Sequence, residues 1–280
     1  MAFTDGFVKA NGIKLHYLDW GGGGPVVLFL HPTGFHAHIW EPFAEYLSRW
    51  FRCLAFDTRG HGDSDKPGVY GWPDYADDLE GALDVLGVSG VAGVGHSAGA
   101  TSITIVAERR PELFSRAVLI DPILFFGPGA LPQQPDSPMQ NAARRRRMEW
   151  PSREAAIENY GSKPPFNAWR PDLLELYVRN GVYDRPDGTV VLKCSGEDEA
   201  KMYAWGPRPL HSDEFLPRVQ CPVLLVSGEQ SVAFPPAKAR QAASMIPDCT
   251  LLTIPGTTHF LPFERPDAVR AAIGHFLGVE

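Results

Sequence analysis

The sequence predicts an α/β protein with a doubly wound, mostly parallel sheet and one helical insertion. Three observations carry this reading. Short apolar runs, among them Val26–Leu30, Arg52–Phe56 and Val91–Val94, alternate with helix-patterned segments. Continuous apolar strands are those covered on both faces, and strand–helix alternation produces parallel order. The alternation stops after Asp121-Pro122 and resumes at Val219, so the interruption is internal. A glycine-bounded corner, Gly95-His96-Ser97-Ala98-Gly99, joins one of these strands to a helix.

Taken in order, Phe7–Ala10 and Ile13–Trp20 flank Asn11-Gly12 and read as a β-hairpin, because Asn-Gly suits a tight turn with positive φ. Gly21–Gly24 is a loop before the strand Val26–Leu30. Trp40–Trp50 has helical spacing, Arg52–Phe56 is a buried strand and Tyr75–Leu86 a helix. The strand Val91–Val94, a helix from Ala100 to Arg109 and the strand Ala117–Ile120 follow. Residues 123–140 are rich in Pro and Gly. Helical stretches are expected near 141–150, 152–160, 171–180 and 197–205. Val219–Ser227 restores a strand, Pro236–Met245 a helix, Thr250–Ile254 the last strand and Asp267–Leu277 an amphipathic closing helix. The expected division is a core of residues 1–122 and 215–280 with a helical cap over 123–214. A length of 280 residues suits one large domain with an insertion.

Bulk composition removes several classes. The net charge of −7 disfavours nucleic acid as a partner. Arg144–Arg147 is the one basic cluster, and it reads as a solvated helix face or as arginines reaching for nearby carboxylates. No apolar run approaches membrane-spanning length, and the first residues lack the basic and apolar regions of a secretion signal. Cys53, Cys194, Cys221 and Cys249 are scattered, with no Cys-x-x-Cys pair. Free buried thiols in a reducing, cytoplasmic setting are expected, with no metal and no organic cofactor.

Chemistry concentrates at the corner. A serine between two glycines at a strand-to-helix turn is a nucleophile elbow: the tight turn exposes the hydroxyl at the carboxyl end of a strand. A hydroxyl needs a base and the base an orienting group. His259, in the loop after the last strand, is the candidate base for Ser97. The acid usual after Val219–Ser227 falls on Ser231, which has no carboxylate. Asp121, directly after Ala117–Ile120, is preferred for the role over Glu229. Oxyanion donors are expected at the backbone N–H of Ala98 and of Thr33; Pro32 has no N–H, and Gly34 is the alternative.

Together, His31-Pro32-Thr33-Gly34, Asp57-Thr58-Arg59-Gly60-His61-Gly62-Asp63-Ser64, the Gly95–Gly99 elbow and Gly256-Thr257-Thr258-His259 resemble an α/β-hydrolase of the broad esterase, lactonase and epoxide-hydrolase-like group. The matches follow the family order of serine, acid and histidine over nearly the whole core. Pro32 departs from the glycine usual after the loop histidine, and Ser231 from the usual acid, which some members carry where Asp121 stands. The resemblance implies a structural role for Asp57–Ser64 and a helical lid after Ile120. His96 reads as a packed neighbour of the serine.

The expected function is hydrolysis of a carboxylic ester or lactone of a small, largely apolar molecule through an acyl-enzyme on Ser97. Hydrolysis of a C–C bond beside a ketone and a non-catalytic small-molecule receptor are the alternatives. A serine at the elbow argues against dehalogenase and epoxide hydrolase chemistry, which in this family use an aspartate there. Phe125, Phe126, Trp150, Phe166, Trp169, Tyr177, Tyr203 and Trp205 supply aromatic surface in the cap, most of it expected to pack cap onto core. A homodimer is left open.

Overall fold

The computed structural model describes residues 3–127, 136–204 and 210–279. Its strands are β1 (Thr4–Ala10), β2 (Ile13–Asp19), β3 (Val26–Leu30), β4 (Arg52–Phe56), β5 (Val91–His96), β6 (Phe114–Ile120), β7 (Glu149–Trp150), β8 (Val182–Asp184), β9 (Val190–Leu192), β10 (Val223–Gly228) and β11 (Cys249–Ile254). Eight of them form one sheet in the order β1-β2-β4-β3-β5-β6-β10-β11. The hairpin of β1 and β2 is antiparallel and joins β4 antiparallel; the pairs from β4 through to β11 are parallel. All the parallel strands therefore end at the same edge of the sheet, and their connecting loops collect there.

The continuous apolar strands divide their side chains between two cores. Val27, Phe29, Ala92, Val94, Val118, Ile120, Leu224 and Val226 face one core, packed with Trp40, Phe43, Ile273 and Leu277. Leu28, Leu30, Val91, Leu119, Val223 and Leu225 face the other, under Leu79, Leu83, Ile103 and Ala239. The period of two along a strand explains why no polar alternation shows in the sequence: both faces are covered by helices.

Most element expectations agree with the structure to within a few residues. The stretch Trp40–Trp50 is shorter and mixed, a 3-10 turn over Ala37–Trp40 followed by an α-helix over Glu41–Leu47. Between β6 and β10 the helices Pro138–Arg145, Arg153–Gly161, Pro171–Asn180 and Gly196–Tyr203 sit near the expected stretches. The insertion also holds a small antiparallel sheet, β7-β9-β8, which the reading of a mostly helical insertion does not specify. Strands of two or three residues are too short for a period-two pattern to register. Trp205 lies outside the described residues.

The insertion is tied down by both kinds of contact. Trp150, Tyr160, Trp169, Leu173, Tyr177 and Val182 join the first core directly. Lys193 Nζ reaches Asp63 at 2.6 Å, and Tyr70 Oη donates to Asp198 at 2.9 Å. The arginine run is spent on carboxylates and aromatic faces: Arg144 meets Asp136 and Glu197, Arg146 meets Glu199, and Arg147 lies over Trp150. The four cysteines are free thiols. Among the described residues no helix is long and apolar enough to cross a membrane.

Buried histidines make this packing sensitive to acid. Burial lowers His36 to about 3 and also lowers His31, His61 and His96. Each is neutral in the fold but takes up a proton near the ordinary value of about 6.5 once unfolded. Their contribution to stability is thus complete above that value and is lost as pH falls below it. For His36 alone the loss is roughly 2 kcal/mol at pH 5. Urea titrations at pH 7 and pH 5 should show this loss, and His36→Gln, which keeps a donor for the Tyr177 carbonyl, should shrink the difference by about that amount. An unchanged pH difference in the variant would count against it.

Candidate active site

The corner after β5 is as tight as its glycines imply. Ser97 has φ 54 and ψ −118, a backbone state that side-chain-bearing residues rarely adopt. A Cβ on Gly95 would lie 2.5 Å from the Ala100 nitrogen, and one on Gly99 would lie 2.3 Å from the Leu30 carbonyl oxygen. Both glycines are therefore required by space. Hydrogen bonds hold the corner on either side: Ser97 N–H donates to Ile120 O at 2.9 Å, and Thr101 N–H to Ser97 O at 3.1 Å. The helix Ala98–Arg109 begins at once, so the Ala98 N–H belongs to its unpaired, electropositive first turn.

Asp121 is the first residue past β6 and is fully buried. Its φ of 45 turns the chain away from the sheet, with Pro122 next. His259 Nδ1 lies 2.5 Å from Asp121 Oδ1, so the imidazole donates to the carboxylate through Nδ1 and keeps Nε2 for another partner. Ser231 Oγ donates to the same Oδ1 at 2.7 Å, and Gly228 N–H donates to Oδ2 at 3.1 Å. A buried carboxylate needs such donors, and here β10 and its following loop provide them.

Glu229 does something else. It is exposed, and its Oε2 accepts from Gly256 N–H at 2.9 Å, bracing the loop that leads to His259. Of the two carboxylates considered as partner to the histidine, the structure brings Asp121 to the ring and sends Glu229 to the backbone. The loop has two further braces. Glu264 accepts from Thr258 N–H at 2.7 Å and Thr258 Oγ1 at 2.6 Å. His96 Nε2–H donates to the His259 carbonyl at 2.8 Å, with the two rings 4.9 Å apart. His96 is thus a packed neighbour that also holds the histidine loop. The sequence marks Ser231 and His96 as positions but not the bonds they make, because their partners Asp121 and His259 lie far away in the chain.

The loop after β3 approaches the same corner: the Gly99 contact with Leu30 O continues to His31 O, 2.8 Å from an added Cβ. His31 Nδ1–H donates to Pro32 O at 2.8 Å, and Phe35 N–H donates to it at 3.2 Å. In a trans peptide the N–H points opposite the C=O, so the Thr33 N–H faces away from these partners. Gly34 N–H is already spent on His61 Nε2 at 2.9 Å. Of the two candidates in this loop, Thr33 and its alternative Gly34, the Gly34 N–H is occupied by His61.

The aromatic residues mostly build packing. Trp169 stacks on Phe263 with centroids 4.4 Å apart, and Phe35 packs on both Trp169 and Tyr177. Phe260, next to His259, lies 5.6 Å from Trp169. Tyr203 donates to Glu199, and Phe125 and Phe126 pack on the second core. Among the described residues one group, His16, Asp57 and Asp63, has metal-ligand spacing. Its atoms are already committed: His16 Nδ1 to Asp57 at 2.7 Å, His16 Nε2 to Asp5 at 2.9 Å, and Asp63 to Lys193.

The chain is 31% identical to a 2-(acetamidomethylene)succinate hydrolase of Mesorhizobium japonicum over 91% of its own length and 89% of the relative's. It is 26% identical to a bifunctional esterase/perhydrolase of Acinetobacter calcoaceticus, over 95% and 97% of the two chains. The crystal structure of an E-2-(acetamidomethylene)succinate hydrolase superposes with a TM-score of 0.87 at 27% identity, covering 99% of each chain. That of the enol-lactonase from Burkholderia xenovorans superposes with a TM-score of 0.75 over 97% of this chain and 99% of the other; at 23% identity it speaks to the fold. The model of the alpha/beta hydrolase family matches residues 27–272, which takes in every strand from β4 to β11 and all the loops described above. This chain belongs to the alpha/beta hydrolase family.

Proposed function

We propose that the protein is a serine hydrolase that cleaves a carboxylic ester or lactone of a small, largely apolar molecule through an acyl-enzyme. The observation that carries the proposal is the 2.5 Å contact of His259 with the buried Asp121 at the sheet edge where Ser97 is held in its strained corner. In this reading Ser97 attacks the acyl carbonyl while His259 Nε2 takes its proton. Asp121 holds the ring in the Nδ1–H tautomer and stabilises the imidazolium. The N–H groups of Ala98 and Thr33 receive the developing oxyanion. His259 then returns the proton to the leaving alcohol, and water activated by the same ring releases the acid.

One observation favours a second reading of the acyl group. The relative at 31% identity is named for hydrolysing an acetamidomethylene succinate, and another, at 26% identity, is an N-formylmaleamate deformylase of Pseudomonas putida. A small acylated amide therefore belongs in the substrate panel beside esters, lactones and vinylogous diketones; turnover of the diketones would support C–C hydrolysis.

A fluorophosphonate probe should label Ser97, and Ser97→Ala should lose both labelling and turnover. Absence of labelling in the folded wild-type protein would leave the non-catalytic receptor as the better reading. Asp121→Asn should lower kcat about 10⁴-fold, the scale set when a triad histidine loses its orienting carboxylate. Glu229→Gln should remain within several-fold of wild type. The opposite ranking would move the acid to Glu229. Ser231→Ala, which removes one donor to the buried carboxylate, should cost about tenfold in kcat.

A further inference from the structure

Two buried histidines outside the proposed triad link the loop after β3 to the loop after β4, and they do so reciprocally. His31, on the first loop, accepts from Thr58 N–H of the second through Nε2 at 3.0 Å. His61, on the second loop, accepts from Gly34 N–H of the first through Nε2 at 2.9 Å. Their other nitrogens are also assigned by their partners. His31 Nδ1 faces Pro32 O at 2.8 Å, and His61 Nδ1 faces Arg59 O at 3.0 Å. A carbonyl accepts and a backbone N–H donates, so both rings are Nδ1–H tautomers with a lone pair at Nε2. The rings meet edge to face at 4.8 Å, and each residue is 1% exposed.

The pair brackets Thr33. His31 holds the carbonyl of the peptide that carries the Thr33 N–H, and His61 holds the N–H of the next peptide. Gly34 is also gripped from the insertion, where Tyr177 Oη donates to Gly34 O at 3.3 Å. Gly34 has φ +83, a state that glycine enters and leaves without steric cost, so the orientation of this loop rests on its hydrogen bonds. We infer that His31 and His61 are positioning residues which aim the Thr33 N–H by bridging the two loops as neutral imidazoles. The inference rests on the hydrolase reading above, and it assigns these two histidines a task in that reaction beyond packing. Neither ring touches substrate in this role. An imidazolium has no lone pair at Nε2, so protonation of either ring removes a bridge. Asp57, Arg59, Lys66 and His36 are the charged or titratable groups around the pair, and burial holds both rings below their ordinary value.

The test compares His61→Leu, which fills the space with no polar atom, and His61→Gln, which restores an acceptor and a donor but cannot titrate. With p-nitrophenyl acetate, His61→Leu should lower kcat about 100-fold, the scale of a lost oxyanion donor, with KM little changed. It should weaken a trifluoromethyl ketone inhibitor by a similar factor, and His61→Gln should recover most of both. Equal losses in the two variants, or a lower melting temperature with kcat intact, would overturn the positioning role. If His61→Leu does not fold, imidazole ¹⁵N spectra of the wild type at pH 7, assigned with His31→Gln and His61→Gln, decide the bridge: an Nε2–H tautomer or an imidazolium at either residue refutes it. Lack of wild-type turnover together with lack of Ser97 labelling would instead remove the hydrolase reading, and the positioning role with it, while the spectra still report on the bridge.

Discussion

The sharp corner between β5 and the helix Ala98–Arg109 is the constraint on which the rest depends. A strand can turn into a helix within one residue only if that residue accepts a strained backbone and its neighbours carry no side chains. Ser97 accepts the strain, and Gly95 and Gly99 leave room for the Ala100 nitrogen and the Leu30 carbonyl. The same close approach that forbids a side chain at Gly99 brings the loop after β3 against the start of the helix. One steric requirement thus sets the proposed nucleophile, one helix N-terminus and the loop that carries Thr33 side by side.

The parallel sheet provides the other half of the geometry. Because β5, β6, β10 and β11 run the same way, the residues just past their ends share one edge. Asp121 leaves β6 there and His259 follows β11 there, so a short contact forms between residues far apart in the chain. β10 lies between them, and it contributes donors in place of a carboxylate. Ser231 and Gly228 both donate to Asp121. A carboxylate one strand closer to the serine is buried where the intervening strand end and His259 together satisfy its oxygens.

The insertion interlocks with this edge at the backbone level. Tyr177 donates to the Gly34 carbonyl while its own carbonyl accepts from His36. Arg146 and Glu199 sit beside Gly34, with Tyr160 and Tyr203 completing a buried polar cluster. Such a cluster is costly unless every member is paired, and here each named side chain has a partner. The loop after β3 is therefore held from the core through His31 and His61 and from the insertion through Tyr177.

What the sequence by itself determined is the part governed by local chemistry. Continuous apolar runs marked the doubly covered strands, and Asn11-Gly12 marked the hairpin turn. The glycines around Ser97 marked the corner. Proline at 32 excluded one backbone donor outright. Each follows from the steric and hydrogen-bonding properties of a residue and its immediate neighbours. The small sheet of β7, β8 and β9 was not legible, because two- and three-residue strands leave no period to read. The place of Asp121 directly after a strand already favoured it over Glu229, but its contact with His259 belonged to the tertiary structure, as did the donors that satisfy Asp121 and the occupation of Gly34 by His61. All of these depend on which loops meet at the carboxyl edge of the sheet, and strand order, not spacing along the chain, decides that meeting.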